Sequence, residues 1–138
     1  MGWHRMAKKY WKDDPAELLR IGPGFDLRAI DPDATPGTDG DKEDGEEELA
    51  ESAQELRELQ ERLFAQSRLG AKDRLLVVLQ AMDAAGKGGI VNHVFSQLEP
   101  YGLALTAFKA PTEEERAHDF LWRGEPRVPQ PGLIRPFD

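Results

Sequence analysis

The segment LLVVLQAMDAAGKGGIVNHV, residues 75–94, contains three consecutive parts that differ in composition. Residues 75–79 are apolar without alternation, which predicts a strand buried on both faces, as in a parallel sheet. A glycine-rich loop follows through Gly89, and apolar positions across residues 90–98 then predict a helix that ends before Pro100. This order predicts an anion site, because backbone N–H groups and the helix N-terminus converge on a phosphate.

The loop departs from the strict phosphate-binding motif G-x-x-x-x-G-K-[ST] at two positions. Gly86 and Lys87 fit the motif, but Ala81 replaces its first glycine and Gly88 replaces its hydroxyl residue. Asp83 lies inside the loop, where a carboxylate is unfavourable beside phosphate unless a cation lies between them. We therefore interpret Asp83 as a Mg²⁺ ligand or a base. The alternative is an ordinary glycine-containing turn with a solvated lysine.

The flanking sequence alternates predicted helices and strands. Leucines and alanines at three- and four-residue steps predict a helix over residues 46–68, and residues 103–108 predict a second strand. A T-x-x-E capping box at Thr112 predicts a third helix, with solvated glutamates over residues 113–115 and an apolar face that includes residues 120–121. Strands alternating with helices imply parallel βαβ units, and therefore an α/β fold.

The acidity of the chain is local. Residues 31–48 hold nine acids and one base, and the other acids and bases balance, so the net charge of −8 does not exclude a polyanionic substrate. Aperiodic Gly, Pro and Asp predict an extended or disordered arm over residues 1–45, ahead of a folded domain over residues 46–138. The absence of cysteine excludes a disulfide scaffold and cysteine catalysis. No apolar run suits a bilayer span or a secretory signal, so we expect a cytoplasmic protein.

Two longer motifs, QAMDAAGKGGIVNHV and FKAPTEEERAHDFLWR, together resemble the polyphosphate kinase 2 family. The resemblance runs from Leu75 to Arg123, and more weakly upstream through residues 46–68 and the F-D-L segment at Phe25. It implies a P-loop kinase-like parallel sheet with flanking helices. It also implies phosphoryl transfer between inorganic polyphosphate and a nucleoside mono- or diphosphate, with Mg²⁺ as cofactor. Neither nucleic acid nor a membrane is an expected partner.

The resemblance implies roles for the residues at the family's motif positions. Asp83 and Asp138 match metal ligands, and these two aspartates together with Lys87 match catalytic residues. The positions that bind phosphate are matched by Gly86, Lys87, Gly88, Gly89, Lys109 and Arg123. For Arg123, a cation at the C-terminus of a helix is an equal alternative.

Two histidines and two aromatic residues near the motifs are interpreted as structural rather than catalytic. Phosphoryl transfer relies on positioning and charge more than on a tunable base. We therefore interpret His93 and His118 as packing or surface residues. Phe120 and Trp122 are interpreted as core or interface residues rather than as a platform that stacks on a base.

The resemblance reaches the last residue of the sequence. Residues 137–138 match the start of the family's second signature, so we expect the incomplete, N-terminal part of a kinase domain, without its lid and remaining strands. Pro136 falls inside the expected central strand, where it deletes a ladder hydrogen bond, and Asp138 should be loosely held. An open apolar sheet edge would favour a homo-oligomer or association with an intact paralogue. Three interpretations stay open: a polyphosphate-dependent nucleotide kinase, a non-catalytic binding module, and a degraded gene product.

Overall fold

A computed structural model describes residues 10–82 and 84–138, and the chain divides into two units, residues 1–52 and residues 53–138. The helices are α1 (Pro15–Leu18), α2 (Lys42–Arg68), α3 (Lys87–Val94) and α4 (Glu113–Ala117), and the strands are β1 (Leu75–Val78) and β2 (Ile134–Phe137). Short 3-10 helices lie at Leu27–Ala29, Phe95–Gln97, Pro100–Gly102 and Glu125–Arg127.

Helix α2 begins at Lys42, four residues before the start that the sequence predicted. The cause is a reciprocal cap formed by two aspartates. The Asp41 carboxylate accepts from the backbone N–H groups of Glu43 and Asp44 at 2.8 and 3.1 Å, and the Asp44 carboxylate accepts from the backbone N–H of Asp41 at 3.0 Å. Acidic residues in a first turn also suit the helix dipole. Part of the acidic run is therefore the start of a helix.

The sheet lies in the second unit, and its two strands are parallel. Leu75 of β1 pairs with Ile134 of β2, and the register continues to Val78 and Phe137. Hydrogen bonds from Leu75 N–H to the Leu133 carbonyl and from Leu79 N–H to the Phe137 carbonyl flank the pairing, at 3.1 and 2.8 Å. The parallel α/β arrangement expected from the sequence is confirmed.

Residues 103–108 lie along the other side of β2 but form isolated bridges instead of the predicted continuous strand. Ala104 N–H donates to the Ile134 carbonyl at 3.0 Å, and Thr106 N–H donates to the Pro136 carbonyl at 2.9 Å. Between these bonds a regular ladder needs a donor at residue 136, and proline has no N–H. Strand β2 is thus central, and Pro136 interrupts its ladder as the sequence predicted.

One face of the sheet closes against helices. Phe95, Leu98 and Ile134 form the buried core, and partly buried apolar side chains surround them: Leu56, Leu63, Val77, Leu79, Val91 and Leu103. Val77 of β1 therefore belongs to the covered face, and Leu79, which follows β1, packs against the core and also borders an open cleft. This core ties α2 and α3 to the sheet and fixes where α3 begins.

A buried glutamine fastens α2 to the turn after α3. Gln60 is only 1% exposed, and its amide Nε2 donates to the Glu99 carbonyl at 2.9 Å while Oε1 accepts from Glu99 N–H at 2.8 Å. Gly102 permits this approach, because a Cβ there would clash with the Gln60 amide nitrogen. Both ends of the buried amide are therefore satisfied, as burial requires.

The prediction that β1 is buried on both faces is wrong. Leu76 and Val78 are exposed, at 39% and 62%, and both line an open cleft. Within the part of the chain that the structure describes, no strand pairs with the outer edge of β1. An apolar strand was therefore read as doubly covered although one of its faces forms the wall of a cleft.

The third helix is shorter than predicted. The capping box at Thr112 is confirmed, but α4 ends at Ala117, and residues 120–121 do not share its face. The Asp119 carboxylate accepts from Leu121 N–H at 2.8 Å, and this local turn competes with continuation of the helix. Phe120 is 85% exposed, so it is not a core residue.

Candidate functional site

The glycine-rich loop delivers Lys87 to the start of α3. Gly86 has φ 89°, in the left-handed region that favours glycine, and Lys87 is the first residue of the helix. Gly88 and Gly89 lie in the first helical turn, which corrects the prediction that the loop continues through Gly89. First-turn amides of a helix generally lack an intrahelical acceptor, but here the Gly89 N–H donates to the Gly86 carbonyl at 2.9 Å. Asp83, the predicted metal ligand of the loop, lies outside the described residues.

Lys87 lies beside Asp138. Lys87 Nζ is 3.8 Å from Asp138 Oδ1, and the two side chains are 30% and 29% exposed. Oδ1 itself is buried, and no described donor forms a hydrogen bond to it. The sequence predicted that the loop lysine and Asp138 belong to one site, and the structure places their side chains next to each other.

Asp138 is firmly held, which corrects the expectation of loose geometry. Its backbone N–H donates to the Thr106 carbonyl at 3.0 Å, and its carbonyl accepts from Phe108 N–H at 2.6 Å. Both bonds come from the segment of residues 103–108 beside β2. The backbone of Asp138 is consequently fixed at the carboxyl end of the central strand.

Arg123 is held on three sides. Its Nη2 donates to the Lys109 carbonyl at 2.8 Å, its guanidinium carbon lies 4.6 Å from the centre of the Phe108 ring, and its Nε is 3.7 Å from Glu115 Oε1. Because α4 ends at Ala117, Arg123 is not a cation at a helix C-terminus. The Lys109 side chain is exposed, and only its carbonyl takes part in this arrangement.

Three of the predicted residues, Lys87, Arg123 and Asp138, line one cleft of about 800 Å³. Its walls are largely apolar and are contributed by Leu76, Val78, Leu79, Phe108, Phe120, Leu121, Val128 and Phe137. Gly86, Gly88, Gly89 and Lys109 do not line the cleft. The cleft therefore combines apolar walls with two cations, Lys87 and Arg123, and two acids, Glu125 and Asp138.

Three residues of this site were missed by the sequence reasoning. Glu115 was interpreted as a solvated first-turn acid, but its side chain is 16% exposed and lies beside Arg123. Phe108 lies between the Arg123 guanidinium, which is over its ring, and Phe137, which it meets edge-to-face with ring centres 5.0 Å apart. Arg127 donates to the Arg123 carbonyl. The capping box signalled that Glu115 is constrained, but no local pattern signalled its partner.

Other titratable rings lie away from the cleft. His118 stacks on Trp122 with ring centres 4.2 Å apart, and neither residue lines the cleft. Partial burial, together with the charges of Glu61 and Glu99, raises the pKa of the Tyr101 phenol above its usual value. These groups give no support for a base at the cleft.

A divalent cation is compatible with the residues present. Asp138 offers a buried carboxylate oxygen without a hydrogen-bond donor, and Mg²⁺ commonly binds one or two carboxylates together with substrate phosphates. Among the described residues, no group of three His, Cys, Asp or Glu side chains forms a metal site by itself. A cation at Asp138 would therefore need oxygen ligands from a substrate.

A family model of polyphosphate kinase 2 matches residues 39–138. The chain belongs to the polyphosphate kinase 2 family. It is 43% identical over 114 residues to the AMP/ADP-polyphosphate phosphotransferase of Meiothermus ruber, which covers 83% of this chain and 41% of the relative. It is 40% identical over 97 residues to the ADP-polyphosphate phosphotransferase of Rhodopseudomonas palustris, covering 70% of this chain and 32% of that relative.

The fold also matches a solved polyphosphate kinase 2. The crystal structure of polyphosphate kinase 2 from Arthrobacter aurescens TC1 superposes with a TM-score of 0.87 and 55% sequence identity, over 93% of this chain and 46% of that one. The chain therefore spans less than half the length of these members of the polyphosphate kinase 2 family. Within the described ranges, no helix is long and apolar enough to cross a membrane.

Proposed function

We propose that the chain contributes the site of a phosphotransferase that moves a phosphoryl group between inorganic polyphosphate and a nucleoside mono- or diphosphate. The observation that carries the proposal is the convergence of Lys87, Arg123 and Asp138 on one cleft. The names of the relatives support the substrate class: one names AMP/ADP with polyphosphate, and the other names ADP with polyphosphate.

The proposed chemistry follows from the charges around the cleft. In the transfer, the bond from phosphorus to the bridging oxygen of the donor breaks, and an oxygen of the acceptor phosphate bonds to the same phosphorus. Lys87 and Arg123 would bind phosphate oxygens and stabilise the negative charge that the transfer redistributes. The backbone N–H groups of Gly86, Lys87 and Gly88 would bind a phosphate as a P-loop does, and Gly89, whose N–H donates to the Gly86 carbonyl at 2.9 Å, would shape the turn. Lys109, exposed beside Arg123, would contact phosphates beyond the cleft.

Asp138 and Asp83 are the proposed ligands of Mg²⁺, and the buried Oδ1 of Asp138 is the observation that supports this part. A bound Mg²⁺ would neutralise phosphate charge and orient the reacting groups. Without the metal, Asp138 would repel a phosphate, although its pairing with Lys87 reduces that repulsion. Anion binding should consequently be stronger when Mg²⁺ is present.

A non-catalytic module that binds nucleotide or polyphosphate is the second candidate. Within the described residues, Lys87 and Arg123 are the two cations that line the cleft, and the cleft is open to water. Transfer usually needs more cations around the phosphates and exclusion of water. We therefore expect the 138-residue chain alone to bind these anions and to turn over slowly.

Two further parts of the proposal concern association and location. The outer edge of β1 and the apolar walls of the cleft support a homo-oligomer or a complex with a longer paralogue. Light scattering after size exclusion would measure the mass. An arm over residues 1–45, a domain over residues 46–138 and a cytoplasmic location also remain parts of the proposal.

The test of the proposed site is the substitution Lys87→Ala, with Lys72→Ala as a matched control at an exposed lysine. Isothermal titration with tripolyphosphate and Mg²⁺ should show binding weakened by about 1.5–3 kcal/mol in the Lys87 variant, the cost of a lost charge-assisted contact. The Lys72 variant should bind as the unmodified chain does. Equal affinities for both variants would place the anion elsewhere.

Turnover separates the two candidate functions. The purified chain is incubated with Mg²⁺, polyphosphate and each nucleoside mono- and diphosphate, and the products are followed by chromatography. Binding without product formation supports the non-catalytic module. Turnover near about 1–100 s⁻¹, the usual range of kinases, would establish the transferase and contradict our expectation of slow turnover.

A further inference from the structure

Glu115 lies at the junction of two interactions. Its Oε2 accepts from Thr112 N–H at 2.9 Å and so completes the capping box of α4. Its Oε1 lies 3.7 Å from Nε of Arg123, and both side chains are largely buried, at 16% and 20% exposed. A carboxylate that served only as a cap would not need a buried arginine on its other oxygen.

The surroundings of Arg123 leave Glu115 as its nearest anionic partner. The Lys109 carbonyl and the Phe108 ring hold the guanidinium on two other sides, and Arg127 adds a second cation 5.6 Å from the same ring. The Arg123 Nε is buried and makes no hydrogen bond to the described residues. Two cations near one ring repel each other, and the Glu115 charge offsets that repulsion.

We infer that Glu115 is a positioning residue, which holds the guanidinium of Arg123 at the wall of the cleft. Arg123 lines the same cleft as Lys87, so its fixed orientation pre-organises the site for an anion. The inference rests on the proposed function for the identity of that anion. It assigns to a cap residue of α4 an indirect role in anion binding, exerted through Arg123.

The direction in which Glu115→Gln changes the affinity for an anion distinguishes a positioning role from a purely electrostatic one. Glu115→Gln removes a negative charge close to the cleft, which by electrostatics alone tightens the binding of an anion. A glutamine still completes a capping box, so α4 keeps its cap. If Glu115 positions Arg123, binding instead weakens, because the guanidinium loses its partner.

The binding experiment titrates tripolyphosphate with Mg²⁺ into four variants. Glu115→Gln should raise the Kd by about threefold to tenfold. Glu113→Gln changes an exposed acid of the same helix turn and should leave the Kd unchanged. Thr112→Ala removes the cap but keeps the Glu115 charge, so its Kd should stay within about twofold. Lys87→Ala should weaken binding, as the proposed function requires.

A second measurement follows Arg123 without any ligand. In protein labelled with ¹⁵N-arginine, the buried Nε–H of Arg123 should exchange slowly with water. Glu115→Gln should accelerate this exchange, and neither Glu113→Gln nor Thr112→Ala should do so. This measurement reports on the contact even if the anion binds elsewhere.

The outcomes distinguish the inference from the proposed function. Unchanged or tighter binding in Glu115→Gln, with weaker binding in Lys87→Ala, overturns the positioning role and leaves the proposed site intact. Unchanged binding in Lys87→Ala overturns the proposed site, whatever the Glu115 variant does. Slow Arg123 exchange that persists in Glu115→Gln overturns the inference on its own.

Discussion

The two faces of the β1–β2 sheet differ in what covers them. One face carries Val77, Leu79 and Ile134 into the core with α2 and α3. The other carries Leu76 and Val78 to the wall of an open cleft. The covered face accounts for the stability of the second unit, and the open face, with the strand ends beside it, carries the charged residues of the proposed site.

This difference shows what an apolar strand does and does not specify. Residues 75–79 are apolar at every position, and a strand with that composition fits both a double-sided core and a core that adjoins a binding cleft. Apolar ligand sites use the same residue types as a core. The predictions below test the two faces in decreasing order of their expected effect on the free energy of unfolding.

The largest loss of stability is expected from Phe95→Ala on the covered face. Phe95 is 7% exposed and contacts the core of Leu98 and Ile134. Removing a buried phenylalanine side chain costs about 3–5 kcal/mol. Urea unfolding followed by circular dichroism measures the change, with the half-exposed Phe25 changed to alanine as control. A loss below about 1 kcal/mol would mean that this face is not the core.

A smaller loss is expected from Gln60→Leu, which keeps the volume of the side chain but removes its amide. The substitution leaves the N–H and carbonyl of Glu99 without their partners. Because Glu99 is only partly buried, water can reach these groups, and the total loss should be about 1–3 kcal/mol. The matched control is Gln54→Leu at an exposed position of the same helix. Similar unfolding midpoints for the two variants would show that water replaces the amide.

Features set by neighbouring residues could be predicted from the sequence. The capping box at Thr112 and the interruption of the ladder at Pro136 were each predicted from residues close in the chain. Such features depend on backbone geometry that few residues determine. The helix over residues 42–68 was also predicted, apart from its first four residues, where acids that cap a helix resemble a disordered acidic run.

Features set by distant residues were not predictable in the same way. The pairing of Glu115 with Arg123 depends on where the chain turns after Ala117, and that turn depends on the Asp119 side chain. The firm position of Asp138 depends on hydrogen bonds from residues 103–108. A sequence pattern states which residues are apolar or charged, but not which distant backbone groups will meet them.

An intermediate effect on stability is expected from Thr112→Ala, in the segment that borders the open face. The Thr112 hydroxyl accepts from Glu115 N–H at 3.2 Å, and loss of a threonine cap costs about 0.5–2 kcal/mol. Thr112→Ser, which keeps the hydroxyl, is the control. Thermal unfolding should show a lower midpoint for the alanine variant alone. A drop as large as that of Phe95→Ala would mean that α4 carries part of the core.

The smallest effect is expected from Phe120→Ala on the open face. Phe120 is 85% exposed while it lines the cleft, so its removal should change the free energy of unfolding by no more than about 0.5 kcal/mol.

The exposed ring of Phe120 can instead contact the apolar part of a ligand. Titration with ADP should show binding weakened by about 0.5–1.5 kcal/mol, the usual worth of an aromatic pair. Tripolyphosphate, which has no ring, should bind the variant unchanged and serves as the control. A large loss of stability would assign Phe120 to a core. Equal weakening for ADP and tripolyphosphate would show that the Phe120 ring supports the charged residues of the cleft and does not contact the nucleotide base.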